Sequence, residues 1–294
     1  MPLIEHTIDG KRDKVKTAIE RIKSLEPISN GLMDDPYYVA YSGGKDSDVL
    51  RILYELSGVR FDLVHNHTTV DAPETVRYIR SIPNVKISKP RTTMWALIEK
   101  KGMPPTRQVR YCCSEFKERG GQGRFVATGV RWAESPRRKK NRSSLEILRR
   151  KASGSLILNA DNAESRRLFE TCTLQGKRIL NPIIDWSDAE VWEFLRLHGC
   201  RSNPLYECGY KRIGCIGCPL AGEKKQLQDF ERYPKYKTAY IHAFERMIVA
   251  RHNSGKPYTK WRTGEEVFHW WTTKPIKKRE DIGPQFDLAD PADG

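Results

Sequence analysis

One stretch, Tyr41-Ser42-Gly43-Gly44-Lys45-Asp46-Ser47-Asp48, constrains this chain more than any other. It follows a short run of strand character, Tyr37-Tyr38-Val39-Ala40, and precedes a helical pattern that puts Val49, Leu50, Ile52, Leu53 and Leu56 on one side. Two adjacent glycines permit a sharp turn and bring backbone N–H groups close to a ligand, while Ser42, Ser47 and the helix N-terminus add donors for an anion. The stretch reads as a phosphate or sulfate cradle at a strand-to-helix turn. It is not a Walker loop, because the four-residue spacer ahead of Gly-Lys-Ser/Thr is missing.

The flanking sequence supplies an α/β frame. Phe61-Asp62-Leu63-Val64-His65-Asn66 reads as a second strand, parallel to the first in a right-handed βαβ unit, with its end facing a ligand crevice. Thr68 to Thr75 opens a helix with Pro73 and Glu74 in its first turn. His65 and His67 lie two apart and share a strand face, but with no third ligand in reach they read as polar strand-end residues. Val85-Lys86-Ile87 is a third strand, Met94 to Ile98 sits on a helix closed at Gly102, and Phe125 to Val130 is a further strand. Residues 141–180 are polar, basic and weakly patterned, as expected of a flexible insertion. Ser187 and Glu190 form a capping box ahead of a helix assigned to core packing. The expected layout is a helical segment over 1–35, a nucleotide-binding α/β part over 36–200, a cysteine-bearing helical part over 201–279 and a disordered acidic tail over 280–294.

Charge narrows the partners. The 294 residues carry a formal net charge of +15, which attracts polyanions. Basic clusters occur at Arg137-Arg138-Lys139-Lys140, Arg149-Arg150-Lys151, Arg166-Arg167 and Lys277-Lys278-Arg279, and the first two make 137–151 a candidate phosphate-backbone track. No apolar run reaches the roughly 18 residues of a membrane helix, and no signal-peptide pattern opens the chain, so a soluble, cytoplasmic protein is expected.

Seven cysteines in such a chain point to metal or redox chemistry before disulfides. Cys215-Ile216-Gly217-Cys218 lets two thiolates reach one metal from a tight turn, a spacing shared by zinc and iron–sulfur sites. Cys112, Cys113 and Cys208 are the further candidates, while Cys172 and Cys200 lack partner spacing and read as buried free thiols.

In combination these motifs resemble the PAPS reductase family and the N-type ATP pyrophosphatases. Ser42-Gly43-Gly44-Lys45-Asp46-Ser47 is similar to their pyrophosphate loop, and Asp71 with Pro73-Glu74-Thr75 is similar to the segment that leads into a helix near the substrate. Gly129, Arg131, Glu134, Ser135 and Arg138 match the family string Gly-x-Arg-x-x-Glu-Ser-x-x-Arg position by position. Cys112-Cys113 with Lys117 resembles the Cys-Cys-x-x-x-Lys element of assimilatory APS reductases. The resemblance implies a doubly wound, mostly parallel sheet of the Rossmann-like adenine nucleotide α-hydrolase type, with a cysteine-bearing helical C-terminal part. It also implies ATP, APS or PAPS as ligand, with Mg²⁺ and a 4Fe–4S cluster, zinc being the alternative.

Two ligand sets are open. Cys112, Cys113, Cys215 and Cys218 follow the APS reductase pattern, whereas Cys112, Cys208, Cys215 and Cys218 follow the one-plus-three layout of DNA phosphorothioation sulfurtransferases. The second is preferred, because adjacent residues project apart. The expected function is an adenylylating sulfurtransferase in which Lys45 and Arg131 neutralise charge and Asp46 positions the metal. DNA or tRNA is the expected acceptor, with a sulfur-donor protein such as a cysteine desulfurase. Reduction of APS or PAPS to sulfite is the alternative, weakened because Glu207-Cys208-Gly209 continues Tyr-Lys where those enzymes have Leu-His around their nucleophilic cysteine. A non-catalytic nucleotide- or nucleic-acid-binding subunit is the third.

Overall fold

The computed structural model describes residues 3–7, 10–148, 155–158, 177–255 and 261–273. The chain opens with an antiparallel hairpin, β1 (Ile4–Thr7) and β2 (Gly10–Asp13), where the sequence pattern had pointed only to a helix. That helix follows as α1 (Lys14–Ser24), capped by Asp13, whose carboxylate accepts from the N–H groups of Val15 and Lys16. Then come β3 (Tyr37–Ala40), α2 (Lys45–Ser57), β4 (Phe61–Asn66), α3 (Pro73–Ser81) and β5 (Val85–Ser88). They lead into α4 (Met94–Lys101), α5 (Tyr111–Phe116), β6 (Phe125–Ala127) and α6 (Pro136–Asn141).

Among the described residues, seven strands form the main sheet in the order β5-β4-β3-β6-β9-β7-β8, where β7 is Leu145–Leu148, β8 is Ser155–Leu158 and β9 is Lys177–Leu180. β5, β4, β3, β6 and β9 run parallel, and β7 and β8 add an antiparallel edge. The expected insertion over 141–180 therefore contributes two strands, built from the apolar runs Leu145-Glu146-Ile147-Leu148 and Ser155-Leu156-Ile157-Leu158. Those runs are too short to show a period of their own, and pairing orders them, β7 with β9 and β8 with β7.

From β3 the chain steps outward to β4 and β5, then returns to the other side of β3 as β6. This reversal of winding opens a crevice at the carboxyl ends of β3 and β6, the place where α/β sheets bind ligands. Tyr37, Tyr38 and Val39 are buried, as strands covered on both faces require.

Among the described residues two large hydrophobic cores carry the fold, and Tyr38, Val64 and Val126 form a third, small cluster. One joins Ala18, Ile22 and Leu25 of the N-terminal helix to Val49, Leu53, Phe125 and Leu180 around the sheet. The other gathers the helices over 223–272 against α4 and α5, whereas Val191, Phe194 and Leu195 of the helix over 188–197 belong to the first core. α7 (Asp188–Leu197) caps with Ser187 as the sequence expects, and α8 (Glu223–Arg232), α9 (Pro234–Asn253) and α10 (Gly264–Thr272) follow. Within the second core Phe230, Tyr240, Phe244 and Trp271 pack with Met94, Leu97, Ile98 and Phe116. The C-terminal helices thus share a core with residues drawn from the nucleotide-binding stretch. No helix among the described residues is long and apolar enough to cross a membrane.

One buried ion pair fastens the N-terminal helix to the sheet. Arg21 donates to both carboxylate oxygens of Asp185 at 2.9 and 3.2 Å and to the Pro182 carbonyl at 2.9 Å. Burial opposes the Asp185 charge, but the Arg21 hydrogen bonds and the Arg21 and Arg12 charges outweigh it and hold the carboxyl below its usual range. Arg21→Ala is expected to cost about 3 kcal/mol in urea unfolding, the scale of breaking a buried pair from one side. A carboxyl depressed in the fold gives stability that is present above its unfolded pKa and lost as pH falls through the folded value. The variant should therefore lose less stability than the parent on acidification, as denaturant curves across pH would record.

Candidate active site

The loop after β3 is shaped by close contacts that only glycine permits. Gly43 has φ +71°, and a Cβ there would lie 2.9 Å from Ile79 Cγ1. The Gly44 N–H donates to Ser47 Oγ at 3.1 Å, and that hydroxyl donates back to the Gly44 carbonyl at 2.7 Å. Ser42 Oγ lies 3.3 Å from Ser47 Oγ. Two residues from far along the chain complete the loop: Asn203 donates to the Gly43 carbonyl at 3.0 Å, and the Lys45 N–H donates to the Tyr206 hydroxyl at 2.9 Å. Beneath it Tyr41 donates its hydroxyl to Asp48 at 2.6 Å, and burial pushes the Asp48 carboxyl up to about 6.

Across the switch point Arg131 is 1% exposed and fully engaged by the protein. Its Nε donates to Asp46 at 2.7 Å, Nη2 to Asp188 at 2.5 Å and Nη1 to the Trp186 carbonyl at 3.1 Å. Lys45 Nζ lies 3.3 Å from both Asp46 and Asp188. Two cations and two carboxylates therefore alternate at the mouth of the loop. Gly129 makes this approach possible, since a Cβ there would meet Asp46 Cβ at 2.9 Å and its carbonyl carbon at 3.1 Å. Glu134 accepts from the Arg131 N–H at 3.2 Å and pairs with Arg138, while Ser135 caps α6. Arg131, Glu134 and Arg138 are thus brought together beside Asp46, with Arg131 held by carboxylates.

A crevice of about 140 Å³ opens beside the loop, lined among others by Ser42, His65, Thr68, Asp71, Thr75 and Lys117. Asp71 accepts from the Thr68 N–H at 2.7 Å and from the Thr68 hydroxyl at 2.8 Å. Burial works against its charge, yet His65, His67 and the Thr68 N–H hold it well below the usual carboxylate range. Glu74 turns elsewhere: it accepts from Arg232 at 3.0 Å and from the Tyr233 hydroxyl at 2.9 Å.

A second cavity, of about 130 Å³, is lined by Cys112, Cys113, Cys215 and Cys218 with Lys117 and Arg212. Cys112 and Cys113 lie in the first turn of α5, where their mutual interaction raises the Cys112 thiol and lowers Cys113. Lys117 and Arg110 reinforce the lowering, and the Lys117 ammonium is pushed up by the charge of Cys215. The Cys215–Cys218 turn needs Gly217, with φ +70° and a Cβ that would strike the Phe230 ring at 2.4 Å. Asp229 and Gln226 bind the turn's backbone at 3.1 and 2.9 Å, and the Ile216 N–H donates to the Val70 carbonyl at 2.8 Å. Four sulfur donors around one cavity suit an iron–sulfur cluster or a thiolate-bound zinc ion.

Cys208, the ligand preferred on sequence, is exposed, contacts Arg232 at 3.6 Å and lies outside the cavity lining. Cys113 lines the cavity beside Cys112, because the first turn of α5 lets the two adjacent cysteines face the same space. Cys200 is half-buried and contacts Arg51 at 3.7 Å. Cys172, the basic clusters at 149–151, 166–167 and 277–279, and the tail from 280 lie outside the described residues.

Thr68, Lys117, Ile213 and Gly214 line both cavities, so the loop's crevice and the thiols share a wall. Asp188, Tyr206 and Asn203 were not singled out on sequence. Asp188 and Tyr206 contact residues more than 140 positions away, and Asp188 was read as the first turn of a structural helix. Gly129→Ala should leave the far-ultraviolet circular dichroism unchanged while weakening adenine-nucleotide binding at least tenfold in calorimetry, because its methyl group displaces Asp46 and the start of α2.

Comparison with known proteins gives the chain a family. The phosphoadenosine phosphosulfate reductase domain matches residues 36–221. An uncharacterized protein of Methanocaldococcus jannaschii is 24% identical over 272 residues, covering 85% of this chain and 60% of its own length. A phosphoadenosine 5'-phosphosulfate reductase of Xanthomonas axonopodis is 25% identical over 212 residues, covering 69% of this chain and 80% of the relative. A solved phosphoadenylyl-sulfate reductase of Candida auris, in a phosphate complex, is similar at 18% identity and a TM-score of 0.42, covering 68% of this chain and 88% of that one. The chain spans about half the length of the first curated relatives it matches. The matched domain runs from β3 through the loop and both cavities to the Cys215–Cys218 turn, and the chain belongs to the PAPS reductase family.

Proposed function

We propose that the chain is an ATP-cleaving, adenylylating sulfurtransferase that acts on a nucleic-acid acceptor. The observation that carries this reading is the wall shared by the phosphate loop's crevice and the four-thiol cavity, which sets a nucleotide's reacting end beside sulfur chemistry. An acceptor oxygen attacks the α-phosphorus of ATP, the bond to the β-phosphate breaks and pyrophosphate leaves. A sulfur nucleophile then displaces AMP. The loop amides and the Ser42 and Ser47 hydroxyls hold the phosphates, and Lys45, with its Nζ 3.3 Å from two carboxylates, offsets charge that develops on the leaving group. Asp46 is the carboxylate suited to a Mg²⁺ carried by the triphosphate. Arg131 positions Asp46 rather than touching substrate. Lys117 keeps a positive charge between phosphates and thiols.

Cys112, Cys113, Cys215 and Cys218 are the ligands proposed for an iron–sulfur cluster, with zinc the alternative. Such a cluster supplies a sulfur-rich, redox-active centre when bound. The acceptor is argued from charge: α6 leaves the same strand end as Gly129 and exposes Arg137, Lys139 and Lys140. Reduction of APS or PAPS to sulfite is the second reading, favoured by the Cys112-Cys113 pair facing Lys117 and by the relatives' names.

Anaerobically purified, iron-replete protein should release pyrophosphate from ATP when DNA or tRNA is added, and Lys45→Ala should slow this at least a hundredfold. Sulfite from APS or PAPS without pyrophosphate release would overturn the reading in favour of the second. For the ligand set, Cys113→Ser should lose bound iron or zinc while Cys208→Ser retains it; the reverse result would restore the set that contains Cys208.

A further inference from the structure

At the end of β4 three side chains that the proposed chemistry leaves unused converge. One ligand atom each from His65, His67 and Asp71 lies within 4.8 Å of the others. His67 Nδ1 is 3.0 Å from Asp71 Oδ2, and His65 Nε2 is 3.7 Å from the same oxygen. The His65 ring is 5% exposed, and its Nδ1 faces the Tyr41 carbonyl at 3.0 Å. A carbonyl only accepts, so Nδ1 carries a proton and Nε2 is the ring atom left to bind a cation. Nε2 has no hydrogen-bond partner and faces the Asp71 carboxylate. A buried ring nitrogen set against a carboxylate is favourable only with a cation between them, a proton or a metal ion. The 3.7 Å separation is too long for a hydrogen bond, but it is close to the roughly 3.4 Å between two ligands of a tetrahedral ion with bonds of about 2.1 Å.

The surroundings have the build of a metal site. The Tyr41 carbonyl fixes the tautomer and orientation of His65, and Thr68 holds both oxygens of Asp71 through its N–H and hydroxyl. Groups behind the ligands that lock them in this way are usual around metals. His67 is about a third exposed, which gives an ion a way in.

We infer that His65, His67 and Asp71 form a binding site for a first-row transition dication such as Zn²⁺, distinct from the thiol cavity. Two imidazoles and one carboxylate select such an ion over Mg²⁺, which prefers oxygen ligands. Three protein ligands leave a coordination position open, as in catalytic rather than structural zinc sites. His65 and Asp71 line the crevice beside Ser42, so the open position is available to an oxygen of a ligand bound there. Occupancy of the site does not depend on the sulfurtransferase reading.

Co²⁺ added to the full-length chain, with its thiol site as isolated, tests this. One equivalent should bind with visible ligand-field bands and no sulfur-to-cobalt charge-transfer absorption. Zn²⁺ should displace it, and excess Mg²⁺ should not. His67→Ala changes a partly exposed side chain, so the protein should melt as the parent does, yet its Co²⁺ affinity should fall at least tenfold. Asp71→Asn should behave alike if it folds. No binding, sulfur charge-transfer bands, or an unchanged affinity in His67→Ala would overturn the inference.

Discussion

The buried guanidinium of Arg131 is the interaction on which the rest of the site depends. With 1% of its surface exposed it reaches Asp46 at the start of α2, Asp188 at the start of α7 and the Trp186 carbonyl. Asp46 follows β3, Asp188 and Trp186 follow β9, and Arg131 itself follows β6, which lies between those two strands. A buried cation is tolerated only when its donors are satisfied, so the three elements must close around it together. This closure aligns the phosphate loop with the crevice. Gly129 is the companion constraint, because a side chain there would occupy the space of Asp46.

Around that knot the fold places two chemistries side by side. The winding of the sheet reverses between β3 and β6, the place where doubly wound sheets bind ligands. The second core then docks the Cys215–Cys218 turn against the segment after β4, through the Ile216 to Val70 hydrogen bond and the Cys215 to Thr68 contact at 3.4 Å. Lys117 stands where the cavities meet, and its positive charge is favoured by thiols on one side and Asp71 on the other. The shared wall is therefore a product of packing between two cores.

What the sequence made legible was local. The loop, its strand and helix, the Ser187–Glu190 capping box and the Cys-x-x-Cys turn are each set by residues within a few positions, and each stands where the pattern put it. Long-range partners were not legible. Asp188 was read as an ordinary helix start, and its contacts with Lys45 and Arg131 exist only after folding. Asp71 was read beside Pro73 and Glu74, whereas the strand end brings it to His65 and His67. Cys208 was preferred over Cys113 from the splay of adjacent side chains, whereas the first turn of α5 brings both Cys112 and Cys113 to the cavity lining. The strands over 145–148 and 155–158 were hidden because edge strands this short draw their order from the neighbour they pair with.

The contiguity of nucleotide crevice and thiol cavity is tested most directly by cysteine alkylation mapped by mass spectrometry on anaerobic protein, with and without ATP. The expected result is that ATP slows modification of Cys113, leaves Cys200 unchanged, and loses its effect in Lys45→Ala. Equal rates at Cys113 with and without bound nucleotide would contradict a shared wall and separate the two cavities in function.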